Sequence, residues 1–251
     1  MFKEGGVAKK TQMIQAVEKI IDRLVEAVKP LEFAPPVKYV YNPICYAKSA
    51  HLAYWRRYGL SDKEVLLLGM NPGPWGMVQT GIPFGDRSMV VDWLGIQSEV
   101  GLPETVHPKR PVQGFDCTRR EVSGQRLWGW ASKRFITPDR FFKRFFVINY
   151  CPLVFMEEGG RNRTPDKLPR KEKDALFTVC DAALVQTVDL LNPKIVIGVG
   201  KFAADQAQRA LKDGPVQVGR ITHPSPANPT ANAGWSNIVE KELAALGIQY
   251  S

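Results

Sequence analysis

Four short apolar runs punctuate this chain, Val65 to Leu68, Phe145 to Ile148, Ile195 to Val199 and Val216 to Ile221, and helical patterns lie between them. Short apolar runs bounded by helical patterns read as buried parallel strands, which calls for a sheet covered by crossover helices. The segment Thr11 to Val28 places Met13, Ile14, Val17, Ile20, Ile21, Leu24, Val25 and Val28 at helical spacing and ends near Pro30. A second helix is predicted from Asn42 as cap, with Pro43 at its first position, to about Tyr58. Further helices are predicted over Asp174 to Leu191, Phe202 to Leu211 and Trp235 to Leu246. The pattern predicts an α/β fold. It is a single domain over residues 1–251, with a central, mostly parallel four-stranded sheet, helices on both faces and residues 1–41 as an N-terminal helical extension.

Charge narrows the partner. The net charge is +9 and the isoelectric point near 9.4, which favours an anionic partner such as nucleic acid or acidic lipid. Between His107 and Lys173 sixteen Lys and Arg face seven Asp and Glu, so this one stretch carries the whole surplus. The N-terminus has no apolar signal region and no apolar run is long enough to span a bilayer, so a soluble intracellular protein without a membrane partner is expected. Cys45, Cys117, Cys151 and Cys180 are scattered without a CxxC pair, which fits reduced thiols; an iron–sulfur cluster would need all four to converge. The three histidines are too separated for a zinc triad, and no metal is expected.

In parallel α/β sheets ligands bind beyond the carboxyl ends of the strands. Four loops belong there: GMNPGPWGMVQTGIPFGD from Gly69, NYCPL from Asn149, GVGKFA from Gly198 and THPSPANPTANAGW from Thr222. The first holds five glycines and three prolines in eighteen residues, a chain held in fixed, special conformations. GVGKFA matches a dinucleotide fingerprint, but the following strand, VQVGRI, carries Arg220 and offers no ribose-binding acid, so a tight strand-to-helix turn is preferred. Phosphate-loop and serine-hydrolase elbow motifs are absent.

His51 and His107 read as surface or packing residues. His223 differs, because it follows a strand and opens a proline-fixed segment, although a histidine that only caps the loop stays open. Asn71 and Asn149 also follow strands, and each carboxamide offers a donor and an acceptor; singly, either reads more readily as an Asx turn. Two such groups and a histidine suit the polar edge of a planar heterocycle. Phe84, bracketed by prolines and glycines, reads as a core residue or as a stacking platform.

GMNPGP, with QTG.PFG a few residues on, and HPSP.NP.AN.GW near the C-terminus together resemble the single-strand-selective monofunctional uracil-DNA glycosylases. The likeness runs from about Asn42 to the C-terminus, through NYCPL and GRNRTP. It implies an enzyme of base excision repair, acting without cofactor. The enzyme would flip uracil out of DNA and hydrolyse its N-glycosidic bond, leaving an abasic site; 5-substituted uracils such as 5-hydroxymethyluracil, and xanthine, are further candidate substrates. By the same resemblance Asn71 positions the attacking water, Gly73 and Met77 line the pocket beside Met70, Phe84 stacks on the extruded base, Asn149 reads its edge and His223 supports the leaving base.

The resemblance also implies DNA, single- or double-stranded, as partner of a monomer, located in the nucleoid region of a bacterial cytoplasm or in a eukaryotic nucleus. DNA contacts are expected from Arg119, Arg126 and Arg163 of the basic stretch and from Ser225, Pro226, Ala227 and Asn228. Relatives carry an arginine where this chain has Ala227, a position associated with the opened duplex. Two other classes compete: a non-catalytic nucleic-acid-binding module using the same basic stretch, and a nicotinamide oxidoreductase using GVGKFA.

Overall fold

The structure is a computed structural model that describes residues 2–249. Helix α1 (Phe2–Val28) leads through strand β1 (Val37–Tyr41) to two consecutive helices, α2 (Pro43–Tyr46) and α3 (Lys48–Tyr58). Strand β2 (Val65–Gly69) is followed by the glycine-rich loop, which contains the single turn α4 (Met77–Thr80). Helices α5 (Val122–Phe135) and α6 (Pro138–Phe142) precede β3 (Phe145–Asn149), β4 (Val154–Glu157) and the two-residue β5 (Asn162–Arg163). The long α7 (Arg170–Leu191), β6 (Ile195–Val199), α8 (Lys201–Ala210), β7 (Gln217–Ile221), α9 (Pro229–Asn232) and α10 (Trp235–Ala245) complete the chain.

The four expected strands form one sheet in the order β3-β2-β6-β7, every pair parallel. Neighbouring strand residues face opposite sides. Phe145 packs against Trp130 and Phe135 of α5, whereas Phe146 stacks on Tyr54 and packs at a tilt against Trp55 of α3, so helices cover both faces. The register sets Gly69 beside Asn149 and Val199 beside Ile221, which brings the loops after all four strands to one edge.

Three features depart from the sequence expectation. The helix expected from Pro43 to Tyr58 breaks at Ala47, a fully buried residue with φ −107° and ψ 30°. The break lets Gly81 of the glycine-rich loop press against Ala47, so closely that a side chain at Gly81 would lie 2.8 Å from the Ala47 carbonyl oxygen. A second, antiparallel sheet β1-β4-β5 has no counterpart in the apolar pattern, because its strands pair residues distant in sequence. The N-terminal helix is no appendage: Met13, Val17, Ile21 and Val28 are buried in the main core. Among the described residues no helix is long and apolar enough to cross a membrane, and no group of His, Cys, Asp and Glu is arranged to hold a metal ion.

Candidate active site

A cleft of about 370 Å³ opens at the carboxyl edge of the sheet, and its walls include Met70, Asn71, Gly73, Met77, Phe84, Asn149, His223 and Ser225. Every residue expected to hold the base or position the attacking water lies in this one cavity.

Its floor is set by Gly69, the last residue of β2. A side chain there would overlap Asn149 Oδ1 and come within 2.7 Å of the Phe84 ring, so glycine lets both groups meet over the strand end. Asn149 Nδ2 donates to Met77 Sδ at 3.2 Å. Thioether sulfur is a weak acceptor, so a carbonyl oxygen of a ligand can replace it at little cost. Asn71 Nδ2 donates to the Leu153 carbonyl at 3.0 Å. That bond fixes the carboxamide and leaves its oxygen as the acceptor.

Phe84 has φ 54°, a left-handed conformation that L-residues other than Asn and Asp adopt rarely. Such strain persists only where neighbours over-determine it. Here the Asp86 amide donates to the Phe84 carbonyl at 2.8 Å, Trp128 Nε1 donates to the Pro83 carbonyl at 3.3 Å, and Gly124 of α5 abuts the Phe84 carbonyl with no room for a side chain. The result holds the Phe84 ring 6.0 Å from the His223 ring, across the cleft.

The rest of the glycine-rich loop is braced from beneath. Gln79, fully buried, donates to the carbonyls of Pro74 and Pro111 and accepts from the Gln113 amide. His51 lies under Gly81: Trp55 Nε1 donates to its Nε2, so its Nδ1 carries the proton and donates to the Gly81 carbonyl at 2.8 Å. Burial lowers its pKa to about 4. His51 is therefore a neutral packing residue. His107 is a packing residue too: it is 1% exposed, its Nε2 bonds to the Glu157 carbonyl and its Nδ1 accepts from the Lys109 amide.

His223 follows β7. The Ser225 amide donates to its Nδ1 at 3.1 Å, which leaves Nε2 as the protonated, donating nitrogen. Burial lowers its pKa to about 4, so the ring is neutral at pH 7. Asn228 Nδ2 donates to the His223 carbonyl and Asn228 Oδ1 accepts from Thr230, the first turn of α9. Gly200, at φ 92°, makes room for the ring, since a side chain there would lie 3.0 Å from His223 Cβ. GVGKFA thus forms a tight turn that seats the histidine.

The basic residues divide. Arg119 is exposed and stacks over Trp75 at 4.5 Å, with Arg110 on the same ring at 5.3 Å. Arg126 is committed to the loop after β7, donating to the carbonyls of Pro224 and Ser225 and to Asn232 Oδ1. Arg163 pairs with Glu157 at 3.1 Å and donates to the Lys167 carbonyl. Pro226 and Ala227 are exposed at the rim, and Ser225 Oγ accepts from the Ala227 amide.

Four further residues line the cleft that no pattern in the sequence assigns to it: Glu121, Ser123, Asn162 and Thr164. Two of them, Asn162 and Thr164, lie within GRNRTP. EVSG, which holds Glu121 and Ser123, gives no signal of its own in the sequence.

A family model described as uracil DNA glycosylase superfamily matches residues 56–242. The single-strand selective monofunctional uracil DNA glycosylase of Bos taurus is 47% identical over 228 residues, covering 90% of this chain and 84% of its own length. The enzyme of that name from Rattus norvegicus is also 47% identical, over 90% of this chain and 82% of its own. The crystal structure of wild-type Pedobacter heparinus SMUG2 superposes with a TM-score of 0.64 at 17% identity, over 91% of this chain and 97% of that one. The glycine-rich loop, the paired asparagines and the seated histidine therefore stand in a known setting: this chain belongs to the uracil DNA glycosylase superfamily, among the single-strand selective monofunctional uracil DNA glycosylases.

Proposed function

We propose that this protein hydrolyses the N-glycosidic bond of uracil in DNA, releasing the base and leaving an abasic site for base excision repair. The observation that carries this is the convergence of Asn71, Phe84, Asn149 and a neutral His223 on one cleft. Extruding a base from a duplex costs roughly a few kcal/mol; the strained Phe84 ring offers the receiving face. Asn149 donates to uracil O4 and accepts from the N3 proton. Cytosine presents the opposite pattern and leaves buried groups unpaired, at about 1 to 3 kcal/mol each.

Asn71 does not serve as a general base, because a carboxamide takes no proton near neutral pH. With its Nδ2 engaged by Leu153, its Oδ1 accepts from the attacking water and holds it in line. The burden moves to the leaving group. As the bond breaks, negative charge gathers on uracil O2, and His223 Nε2–H donates to it; one preorganised donor of this kind is worth roughly 3 to 4 kcal/mol. Uracils with 5-substituents such as 5-hydroxymethyluracil, and xanthine, are proposed as additional substrates. We propose further that it acts as a monomer wherever the cell's DNA lies, on single or double strands.

The test is base release from single- and double-stranded oligonucleotides carrying uracil, 5-hydroxymethyluracil, xanthine or thymine. Uracil should be freed, with strand cleavage only after added alkali. A borohydride-trapped adduct would instead indicate a lysine nucleophile, and binding without base release would leave a nucleic-acid-binding module.

A further inference from the structure

Glu121 is the one carboxylate among the described residues that line the cleft. It immediately precedes α5, yet its side chain turns toward the loop that carries Asn71. A side chain at Gly73 would lie 2.5 Å from Glu121 Oε2, and one at Gly76 would lie 2.8 Å from Glu121 Cγ. The carboxyl is thus laid along the backbone of Gly73 to Gly76, where the backbone amides of Trp75 and Ser123 favour its charged form.

The Glu121 backbone makes a second junction. Its amide donates to Asp86 Oδ2 at 2.9 Å. Asp86 is fully buried, accepts from Ser88 Oγ and pairs with Arg120, and its own amide closes the turn on the Phe84 carbonyl. One residue therefore touches both the stretch that carries Asn71 and the turn that carries Phe84.

Burial raises the Glu121 pKa, and the nearby Asp86 adds to the rise against the pull of the Trp75 and Ser123 amides. Burying a carboxyl beside another acid is costly unless its oxygens are used. Packing alone would be better served by an apolar side chain.

We infer that Glu121 is a positioning residue: its carboxyl oxygens hold the Gly73 to Gly76 backbone against the start of α5 and so fix where Asn71 presents its oxygen to the attacking water. This rests on the role proposed above for Asn71. It separates Glu121 from a general base, because an acceptor oxygen is sufficient and a negative charge is not required.

The test compares Glu121→Gln, Glu121→Ala and Glu121→Asp for single-turnover uracil release, affinity for an abasic-site oligonucleotide and amide hydrogen exchange across residues 73–80. Glu121→Ala and Glu121→Asp, which withdraw the oxygens, are expected to slow release by roughly tenfold to a hundredfold, the scale of a misplaced reacting group, with affinity little changed. Exchange across the loop should quicken in both. Glu121→Gln keeps an acceptor oxygen in place and should restore the rate to within about threefold of the parent, with parental exchange. If Glu121→Ala fails to fold, the Asp and Gln pair carries the comparison. Parental rates and exchange in Glu121→Ala or Glu121→Asp would overturn the inference. So would a Glu121→Gln protein as slow as the other two, because charge and not position would then matter. Should the parent release no uracil, the proposed function fails, and loop exchange alone still decides whether Glu121 holds the loop.

Discussion

The Ser225 amide donates to His223 Nδ1 at 3.1 Å, and this one bond sets the direction in which the histidine acts. With Nδ1 an acceptor, the proton sits on Nε2. The ring is a neutral donor, kept neutral by burial and seated by the turn at Gly200.

A neutral donor has a pH signature. With the His223 pKa lowered to about 4, the single-turnover rate should show no inflection near 6.5 that depends on this residue. A rate that falls as pH rises through 6.5, and that ceases to do so in His223→Leu, would mean that imidazolium is the active form.

Stability follows from the same shift. The folded pKa of about 4 lies below the unfolded value of 6.5, so between those limits the unfolded chain binds more protons. Stability is fully present above 6.5 and drains away as pH falls toward 4, by up to about 3 kcal/mol for each such histidine. His51, also lowered to about 4, adds to the loss, while Glu121 and Asp181, whose carboxyls are raised by burial, work the other way. Thermal melting from pH 7 to 4.5 should show the parent losing more stability than His223→Leu. Equal losses would place the His223 pKa near its ordinary value.

Gly69→Ala tests the cleft floor. Its new methyl would collide with Asn149 Oδ1 and the Phe84 ring, so uracil excision should fall by at least about tenfold while the sheet still forms. Overpacking of this kind costs about 1 to 3 kcal/mol in stability. Single-turnover kinetics with a melting curve reads both, and unimpaired excision would show that Asn149 and Phe84 need not meet there.

Asn149→Asp should be worse than Asn149→Ala on uracil, because an ionised carboxylate repels O4 whereas a truncation only removes a bond. Excision by the aspartate variant at the parental rate would remove Asn149 from base recognition.

For DNA binding, Arg119 is the clean probe. It is exposed and stacked on Trp75, whereas Arg126 braces the His223 loop and Arg163 is paired with Glu157. Arg119→Glu should flatten the dependence of log affinity on log salt by about 0.7 to 0.9 for each phosphate that the arginine neutralises. Arg126→Glu should damage catalysis as well. An unchanged salt slope in Arg119→Glu would put the DNA track elsewhere.

Most of the main sheet was legible because β2, β3 and β6 are largely buried and read as unbroken apolar runs. Strands β2 and β3 end one residue later than expected, at Gly69 and Asn149, and β7 begins at Gln217 rather than Val216 and is half exposed, with Gln217 and Arg220 facing out. The antiparallel sheet was not, because Val37 to Tyr41 gains its partner only when Val154 to Glu157 arrives, and Asn162 to Arg163 is too short to carry a period. In the site, Asn71, Asn149 and His223 announced themselves by standing at or just after strand ends, and Phe84 by its place among Gly and Pro in the loop after β2. Glu121 did not, since its importance comes from Gly73 and Gly76 approaching it in space. The commitment of Arg126 to backbone carbonyls was equally invisible, because a sequence records a charge and not what the charge is holding.

The most direct measurement is the single-turnover rate of uracil release, at pH 7.5, by the parent and by His223→Leu, with DNA affinity measured alongside. If leaving-group stabilisation by the neutral His223 carries catalysis, the variant should bind DNA like the parent and release uracil roughly a hundredfold or more slowly. Near-parental release by His223→Leu would contradict the account, even with the fold and every other cleft residue intact.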